Sequence, residues 1–323
     1  MIYNFDWIRD YRGNLEWLPH STILLTVHGS HAYGLATETS DVDIKGVAIP
    51  PKQYLFGFLH RFEQAESKNP DMTIYDIRKF FQLAADCNPN IIEILWTDDE
   101  HVIFINELGK MLRHFRSHFL SQKAKYTFSG YAIAQLKRIK THRKWLLNPV
   151  EKKPERGDFS LPETSLLSAD EMGAIEAVER NEGFGAQFSE NAMLIYQKER
   201  SYRNALREWQ QYQNWKANRN PARAEMEAKF GFDLKHAMHL VRLMRMCREI
   251  LTGQGVMVKR PDREELLAIR NGAWTYDQLM EWAERQDAEL NELVEKSTLR
   301  HSPDRNFLSG LCAAWVEEYL REK

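Results

Sequence analysis

The stretch that decides the fold is residues 27–46, which read VHGSHAYGLATETSDVDIKG. A Gly29-Ser30 turn is followed, about one short helix later, by Asp41 and Asp43. Alternate side chains of a strand point to the same face, so these two carboxylates share one face. Two carboxylates beside a turn with free backbone N–H groups predict a site for a divalent metal ion and a phosphate.

Five residues of this stretch have a predicted role. Gly29 permits a close backbone approach that a side chain would block, and Ser30 can offer its hydroxyl to a phosphate. Asp41 and Asp43 supply the oxygen ligands that Mg²⁺ or Mn²⁺ requires. Lys45 shares the carboxylate face and is predicted to contact a phosphate. Asp-x-Asp pairs are common in solvated loops, and the spacing from the Gly-Ser turn is what favours the metal site.

Two-metal chemistry needs a third carboxylate. We predict Asp76 for this role, because it ends a strand that would lie beside residues 42–47. Glu63 and Glu66, on the preceding strand, are the alternatives.

The composition is that of an ordinary globular protein. The chain has 323 residues, of which 43% are hydrophobic and 28% charged, and a net charge of -2 that indicates no particular partner. The start of the chain lacks a signal-peptide pattern, and no apolar run approaches the roughly 20 residues of a membrane helix. Cys87, Cys247 and Cys312 form no metal-binding or disulfide pattern. We therefore expect a cytoplasmic protein with reduced thiols and no membrane segment.

The residue patterns predict an α+β protein of two domains. Four strands (23–27, 42–49, 61–67 and 72–76) and two helices (77–85 and 91–96) occupy the first third. From about residue 105 onward the pattern is almost wholly helical. We expect an N-terminal α/β catalytic domain with a mixed sheet over residues 1–110, followed by an α-helical substrate-binding domain over 111–323.

A basic region over residues 122–156 predicts an RNA partner. It contains ten Lys or Arg against two Glu, a local charge of +8, with three aromatic residues interleaved. Basic side chains bind phosphates while aromatic rings stack on bases. The alternative is a solubilising helix face whose Trp145 packs into the core. The candidate RNA-binding residues are Lys137, Arg138, Lys140, Arg143 and Lys144.

A second candidate surface lies on the predicted helix 234–252. Lys235, His239 and Arg242 share one face of this helix by their spacing. This stripe is predicted to bind an NTP triphosphate or an RNA backbone, although a solvated polar face is the ordinary alternative.

The Gly29-Ser30 turn followed by Ser40-Asp41-Val42-Asp43 resembles the hallmark of the DNA polymerase β-type nucleotidyltransferases. The fuller wording, through Ile44-Lys45-Gly46, is closer to a bacterial and phage branch, some of whose members are linked to RNA ligases in RNA-repair gene neighbourhoods. Similarity continues at residues 75–80, at 88–90 with Glu93, and at 231–242. The resemblance implies transfer of a nucleoside monophosphate (NMP) from an NTP, with Asp41 and Asp43 as metal ligands. It also favours Lys235 as the helical-domain cation that contacts the triphosphate.

These observations predict a Mg²⁺-dependent nucleotidyltransferase (EC 2.7.7 type) that acts on an RNA end, such as that of a tRNA, with release of pyrophosphate. One alternative keeps the catalyst and transfers the NMP to a protein side chain or a small molecule. Another is an inactive RNA-binding module. The NTP used, the number of nucleotides added and the oligomeric state are not readable from the residues.

Overall fold

The fold is built on a five-stranded mixed sheet. The computed structural model describes Trp7, Tyr11 and residues 13–68, 70–182 and 189–322. The strands are β1 (Thr22–His28), β2 (Asp43–Ala48), β3 (Gln64–Lys68), β4 (Asp71–Asp76) and β5 (Val102–Ile105). Their order across the sheet is β3-β4-β2-β1-β5. The pairs β1–β2, β1–β5 and β3–β4 are antiparallel, and β2–β4 is parallel.

One face of the sheet covers a hydrophobic core. Leu25, Ile44, Met72 and Ile74 are all buried in one cluster, together with Trp7. Ile44 pairs with Met72 in the β2–β4 register, so their side chains point to the same side. Asp43 and Lys45 alternate with Ile44 and therefore lie on the opposite face.

The helices follow in chain order. The first three, α1 to α3, are single turns, whereas α7, α9 and α13 are the longest. Their bounds are α1 (Leu18–Ser21), α2 (Gly29–Ala32), α3 (Lys52–Leu55), α4 (Ile77–Ala85), α5 (Pro89–Trp96), α6 (Glu107–His114), α7 (Lys123–Leu147), α8 (Ala169–Glu182), α9 (Glu190–Ala217), α10 (Pro221–Phe230), α11 (Leu234–Leu251), α12 (Arg263–Arg270), α13 (Tyr276–Lys296) and α14 (Arg305–Glu322).

The fold class predicted from the sequence is confirmed: a mixed sheet near the N-terminus is followed by helices. The strand β5 was not predicted, because the four residues Val-Ile-Phe-Ile lie where the helical pattern was expected to begin. Asp76 and Asn88 cap the first two long helices, since their side chains accept hydrogen bonds from the amides of Arg78 and Asn90. None of the described helices is long and apolar enough to cross a membrane.

The chain forms two compact units. One contains the described residues of 1–139 and 234–323, and the other contains those of 140–233. In the first unit α11 packs against α12 and α13, and α14 packs against α4. The helices after residue 234 thus share a compact unit with the sheet. The division of function at residue 110 stays a prediction.

Candidate active site

The Gly29-Ser30 turn forms a tight bend directly after β1. Gly29 has φ +67°, a left-handed conformation that favours glycine, and a Cβ there would collide with the carboxylate of Asp43. The amide of Tyr33 donates to the Gly29 carbonyl at 3.1 Å, and the amide of Leu35 donates to the Ser30 carbonyl at 2.8 Å. The backbone at Gly29 therefore lies close to the Asp43 side chain, and this is the close approach that the sequence predicted.

Ser40 closes the loop that leads from this turn into β2. Its hydroxyl accepts a hydrogen bond from the amide of Thr37 at 2.8 Å. Its carbonyl lies 3.2 Å from Nε2 of His31. These two contacts stabilise the loop immediately before Asp41 and Asp43.

The structure places Asp71 beside Asp43. The two residues are register partners at the start of the parallel strands β2 and β4, so their side chains share a face. Asp43 is half-buried, whereas Asp41 and Asp71 are exposed. Burial raises the pKa of Asp43, and the Asp71 carboxylate is the strongest of the charges that raise it further. This like-charge crowding makes the carboxylates a fitting set of ligands for a divalent cation.

The prediction of Asp76 as the third carboxylate is wrong in geometry. Asp76 pairs with Ala48, five residues beyond the Asp43–Asp71 pair, so it lies roughly 16 Å along the sheet and on the opposite face. It is buried, caps α4 and lies 2.5 Å from Nη2 of Arg78. The prediction failed because β2 and β4 are parallel. The start of β4, and not its end at Asp76, therefore lies beside the start of β2.

The two alternatives are also displaced from Asp43. Glu66 lies on the outer strand β3, where it pairs with Thr73 of β4. The strand β4 separates it from β2, which carries Asp43. Glu63 precedes β3, is exposed and pairs with Lys79 at 2.9 Å. Asp71 was missed because the predicted strand began at residue 72, one position after it.

Lys45 lies on the same face as Asp43, one alternation further along β2. Burial lowers the pKa of Lys45, while Glu93, Asp43 and Asp71 oppose this effect in that order. Lys45 is thus a cation that interacts electrostatically with the buried carboxylate of Glu93 and with the two carboxylates at the start of β2 and β4.

The predicted Lys235-His239-Arg242 stripe does not form a common phosphate-binding surface. Lys235 lies in the first turn of α11 and lowers the pKa of Asp43. Burial lowers the pKa of His239 well below its ordinary value, helped by Arg242 and Lys235, so His239 is neutral near pH 7. Lys235 alone of the three combines a positive charge with proximity to the carboxylates.

Arg242 has a different role from the predicted one. Its side chain is only 6% exposed, and its Nη1 lies 2.5 Å from Oε1 of Glu93, whose side chain is 1% exposed. Its guanidinium stacks over the Tyr33 ring with Cζ 3.8 Å from the ring centre. A guanidinium committed to these buried partners does not face an incoming triphosphate, and the assignment of Arg242 to NTP binding is corrected.

No functional role was predicted for Glu93 from the sequence. It lies in α5, within the otherwise apolar run Ile-Ile-Glu-Ile-Leu. A lone carboxylate in an apolar helical run could have indicated a role, because a buried carboxylate needs a charged or hydrogen-bonding partner.

At least five of the ten cations in the basic region of residues 122–156 form ion pairs within the protein. Ion pairs join Lys123 to Asp86, Lys125 to Asp287, Lys144 to Glu208, Lys152 to Asp158 and Arg156 to Glu199. Arg143 donates to the carbonyl of Gly231 at 3.0 Å. Trp145 is buried, which agrees with the alternative that this helix packs Trp145 into the core. Of the five predicted RNA-binding residues, Lys137, Arg138 and Lys140 are exposed and have no ion-pair partner among the described residues.

The three aspartates have the chemistry of a divalent-metal site. The oxygens of Asp41, Asp43 and Asp71 do not all approach within 4.8 Å of one another. Asp41 and Asp71 are exposed side chains, so rotation can bring their oxygens toward Asp43. Hard oxygen ligands of this kind suit Mg²⁺ or Mn²⁺.

The comparisons with known proteins bear on this segment of the chain. Residues 14–150, which include all three carboxylates, match the family described as RlaP, the RNA repair pathway DNA polymerase beta family. The match covers less than half of the chain, and it shows that this segment is similar to proteins of the polymerase β type. The resemblance predicted from the Gly-Ser and Asp-x-Asp motifs is thereby confirmed, and the family indicates a nucleotidyltransferase-like protein.

A stretch of 126 residues is also 32% identical to a protein of Enterobacteria phage T4. That protein is described as an uncharacterized 38.9 kDa protein in the nrdC-mobD intergenic region. The match covers 35% of this chain and 37% of the phage protein. No solved structure matches the chain.

Proposed function

We propose that this protein transfers an NMP from an NTP to an acceptor hydroxyl and releases pyrophosphate in a Mg²⁺- or Mn²⁺-dependent reaction. The observation that carries the proposal is the register pairing of Asp43 with Asp71, with Asp41 just ahead and Gly29 packed against Asp43. It supplies three carboxylates and a phosphate turn in one place. The polymerase β-type match of residues 14–150 supports the same reaction class.

Asp41, Asp43 and Asp71 would hold the metal ions, which neutralise charge on the phosphates and favour the ionised acceptor oxygen when bound. The acceptor oxygen forms a bond to the α-phosphorus, and the bond from that phosphorus to the bridging oxygen breaks. Pyrophosphate leaves with the electron pair, and the acceptor proton passes to the carboxylates or to water.

The phosphate side of the site is provided by Ser30, Lys45 and Lys235. The Ser30 hydroxyl has no hydrogen-bond partner among the described residues and lies next to the Gly29 bend. Lys45 and Lys235 are the cations that act electrostatically on Asp43. Together they can balance the triphosphate charge that the carboxylates would repel.

An RNA end is the acceptor that we favour. The matching family is described as an RNA repair family, and α7 carries exposed cations as well as exposed tyrosines. Tyr126 is 68% and Tyr131 40% exposed, and Arg138 lies two turns after Tyr131 on the same helical face. Exposed aromatic and basic side chains on one surface are typical of contacts with single-stranded nucleic acid.

The test is to incubate the protein with each α-³²P-labelled NTP, Mg²⁺ or Mn²⁺, and either purified tRNA, total RNA or cell extract. We expect label in RNA that is sensitive to ribonuclease and resistant to protease. Label in protein or in small molecules would support the proposed reaction but show that the acceptor is not RNA. A double variant, Asp41→Ala with Asp43→Ala, should lose labelling altogether, and labelling that persists would refute the metal assignment.

A further inference from the structure

A single buried carboxylate contacts the residues on both sides of the Gly29-Ser30 turn. His28 directly precedes Gly29, and its Nε2 lies 3.4 Å from Oε2 of Glu93. Tyr33 directly follows the α2 turn, and its hydroxyl donates to the same Oε2 at 2.5 Å. From its position on α5, Glu93 thus accepts a hydrogen bond from Tyr33 at one end of the turn and lies against the His28 ring at the other.

Arg242 makes this arrangement possible in the interior. Burial favours the neutral form of Glu93, yet the charge of Arg242 and the Tyr33 hydroxyl together bring the pKa of Glu93 below its ordinary value. The carboxylate is therefore ionised, and the guanidinium at 2.5 Å compensates its charge. A buried charge without such a partner is strongly disfavoured.

The position of this turn matters for the site because Gly29 lies in contact range of the Asp43 carboxylate. A small shift of the turn moves the Ser30 hydroxyl relative to Asp43. Misplacement of a reacting group by about 1 Å can reduce a rate by roughly 10²-fold.

We propose that Glu93 is a positioning residue that fixes the Gly29-Ser30 turn against Asp43 through His28 and Tyr33, with Arg242 as its charge partner. The catalytic part of this inference rests on the proposed nucleotidyl transfer. Its structural part, that loss of a Glu93 contact loosens the turn, can be tested without any activity.

The decisive variant is Tyr33→Phe, because removing Glu93 itself would leave Arg242 buried without a partner and risks misfolding. A matched control is Tyr319→Phe, which removes another buried tyrosine hydroxyl bond, to Ser21 Oγ at 3.0 Å, in the same compact unit. We expect Tyr33→Phe to lower kcat about tenfold and Tyr319→Phe to change it less than about twofold. Equal losses in the two variants would show a purely structural effect and overturn the proposal.

A double-mutant cycle tests whether Tyr33 acts through the turn. In a Ser30→Ala background, Tyr33→Phe should reduce kcat by less than about twofold, since the hydroxyl that it positions is already absent. A full tenfold loss in both backgrounds would mean that Tyr33 acts independently of Ser30.

Hydrogen exchange of the peptide covering residues 29–35 separates this inference from the proposed function. We expect exchange at least about threefold faster in Tyr33→Phe than in wild type or Tyr319→Phe, because the amides of Tyr33 and Leu35 close the turn. Unchanged exchange in Tyr33→Phe would overturn the positioning role, whatever the activity. If the wild-type protein transfers no nucleotide, the proposed function fails alone and the exchange result still decides the role of Glu93.

Discussion

Asp43 and Asp71 stand side by side at the start of two parallel strands, although 27 residues of chain lie between them. A parallel pair brings the first residues of its strands together, and here both first residues are aspartates. The carboxylate that lies beside Asp43 is thus the one at the beginning of β4. The aspartate at the end of β4 instead caps a helix.

Replacing Asp71 should abolish nucleotidyl transfer, whereas replacing Asp76 should not. Asp71→Asn removes one of the three charges expected to bind the metal ions, and we expect a loss of at least about 100-fold in kcat. Asp76→Asn keeps a helix-capping oxygen but weakens the Arg78 pair, at a cost of about 1–3 kcal/mol in unfolding free energy. Transfer assays and urea unfolding measure the two effects, and the reverse pattern would restore Asp76 as the third ligand.

A methyl group at Gly29 should disable the site. Gly29→Ala combines strain at φ +67° with a collision at Asp43, and we expect at least about a 100-fold loss of transfer. Gly253→Ala is the control, because it imposes similar strain at φ +78° with no atom within 4 Å of the new Cβ. Both variants should lose about 1 kcal/mol or more of stability, but only the first should lose activity. Full activity in Gly29→Ala would exclude a close approach of the turn to Asp43.

Stability should fall as the pH is lowered below 6.5, partly because of His28. Burial, followed by the charge of Lys45, lowers the pKa of His28 from 6.5 to about 3, so the folded protein keeps this ring neutral. The unfolded chain binds a proton there below pH 6.5, so the stabilisation present above pH 6.5 is lost as the pH falls toward 3. Between pH 7 and pH 5 this amounts to about 2 kcal/mol for His28.

Urea unfolding at pH 7, 6 and 5 measures this effect. His28→Asn should make the loss smaller by about 2 kcal/mol, while His239, whose pKa burial also lowers, retains its own contribution. Replacing the exposed His60 with Asn serves as the control. A pH dependence that is the same in wild type and His28→Asn would contradict the buried, neutral state of this ring.

Charge reversal on α7 should weaken RNA binding. The triple variant Lys137→Glu, Arg138→Glu and Lys140→Glu removes cations that have no ion-pair partner among the described residues. We expect at least about tenfold weaker binding to a fluorescent single-stranded RNA, with a shallower dependence on KCl concentration. Reversal of Lys110, Lys296 and Arg321, which are exposed and already ion-paired, gives the same change in net charge elsewhere. Equal losses in the two triple variants would leave only a general charge effect.

The sequence predicted the reaction class from local features. The Gly29 bend and the carboxylate pair lie within 15 residues, and strand alternation alone places Asp41 and Asp43 on one face. Strand and helix periods likewise predicted four of the strands, the helices at 77–85 and 91–96, and the helical pattern after about residue 105. Such patterns depend on neighbouring residues, and so a single chain is enough to read them.

The third carboxylate and the role of Arg242 depended on contacts between distant segments. Asp71 and Asp76 both lie on β4, and only the parallel register with β2 separates them. Arg242 has the spacing of a surface residue, yet it pairs with Glu93, 149 positions earlier in the chain.

The sequence by itself therefore determined the polymerase β-type motif, the α+β fold class and the pair of carboxylates, because these follow from spacing along the backbone. Only the tertiary structure decided that Asp71 lies beside Asp43, that Asp76 caps a helix and that Glu93 and Arg242 form a buried pair. Strand direction and burial result from the packing of the whole unit, and no local period encodes them.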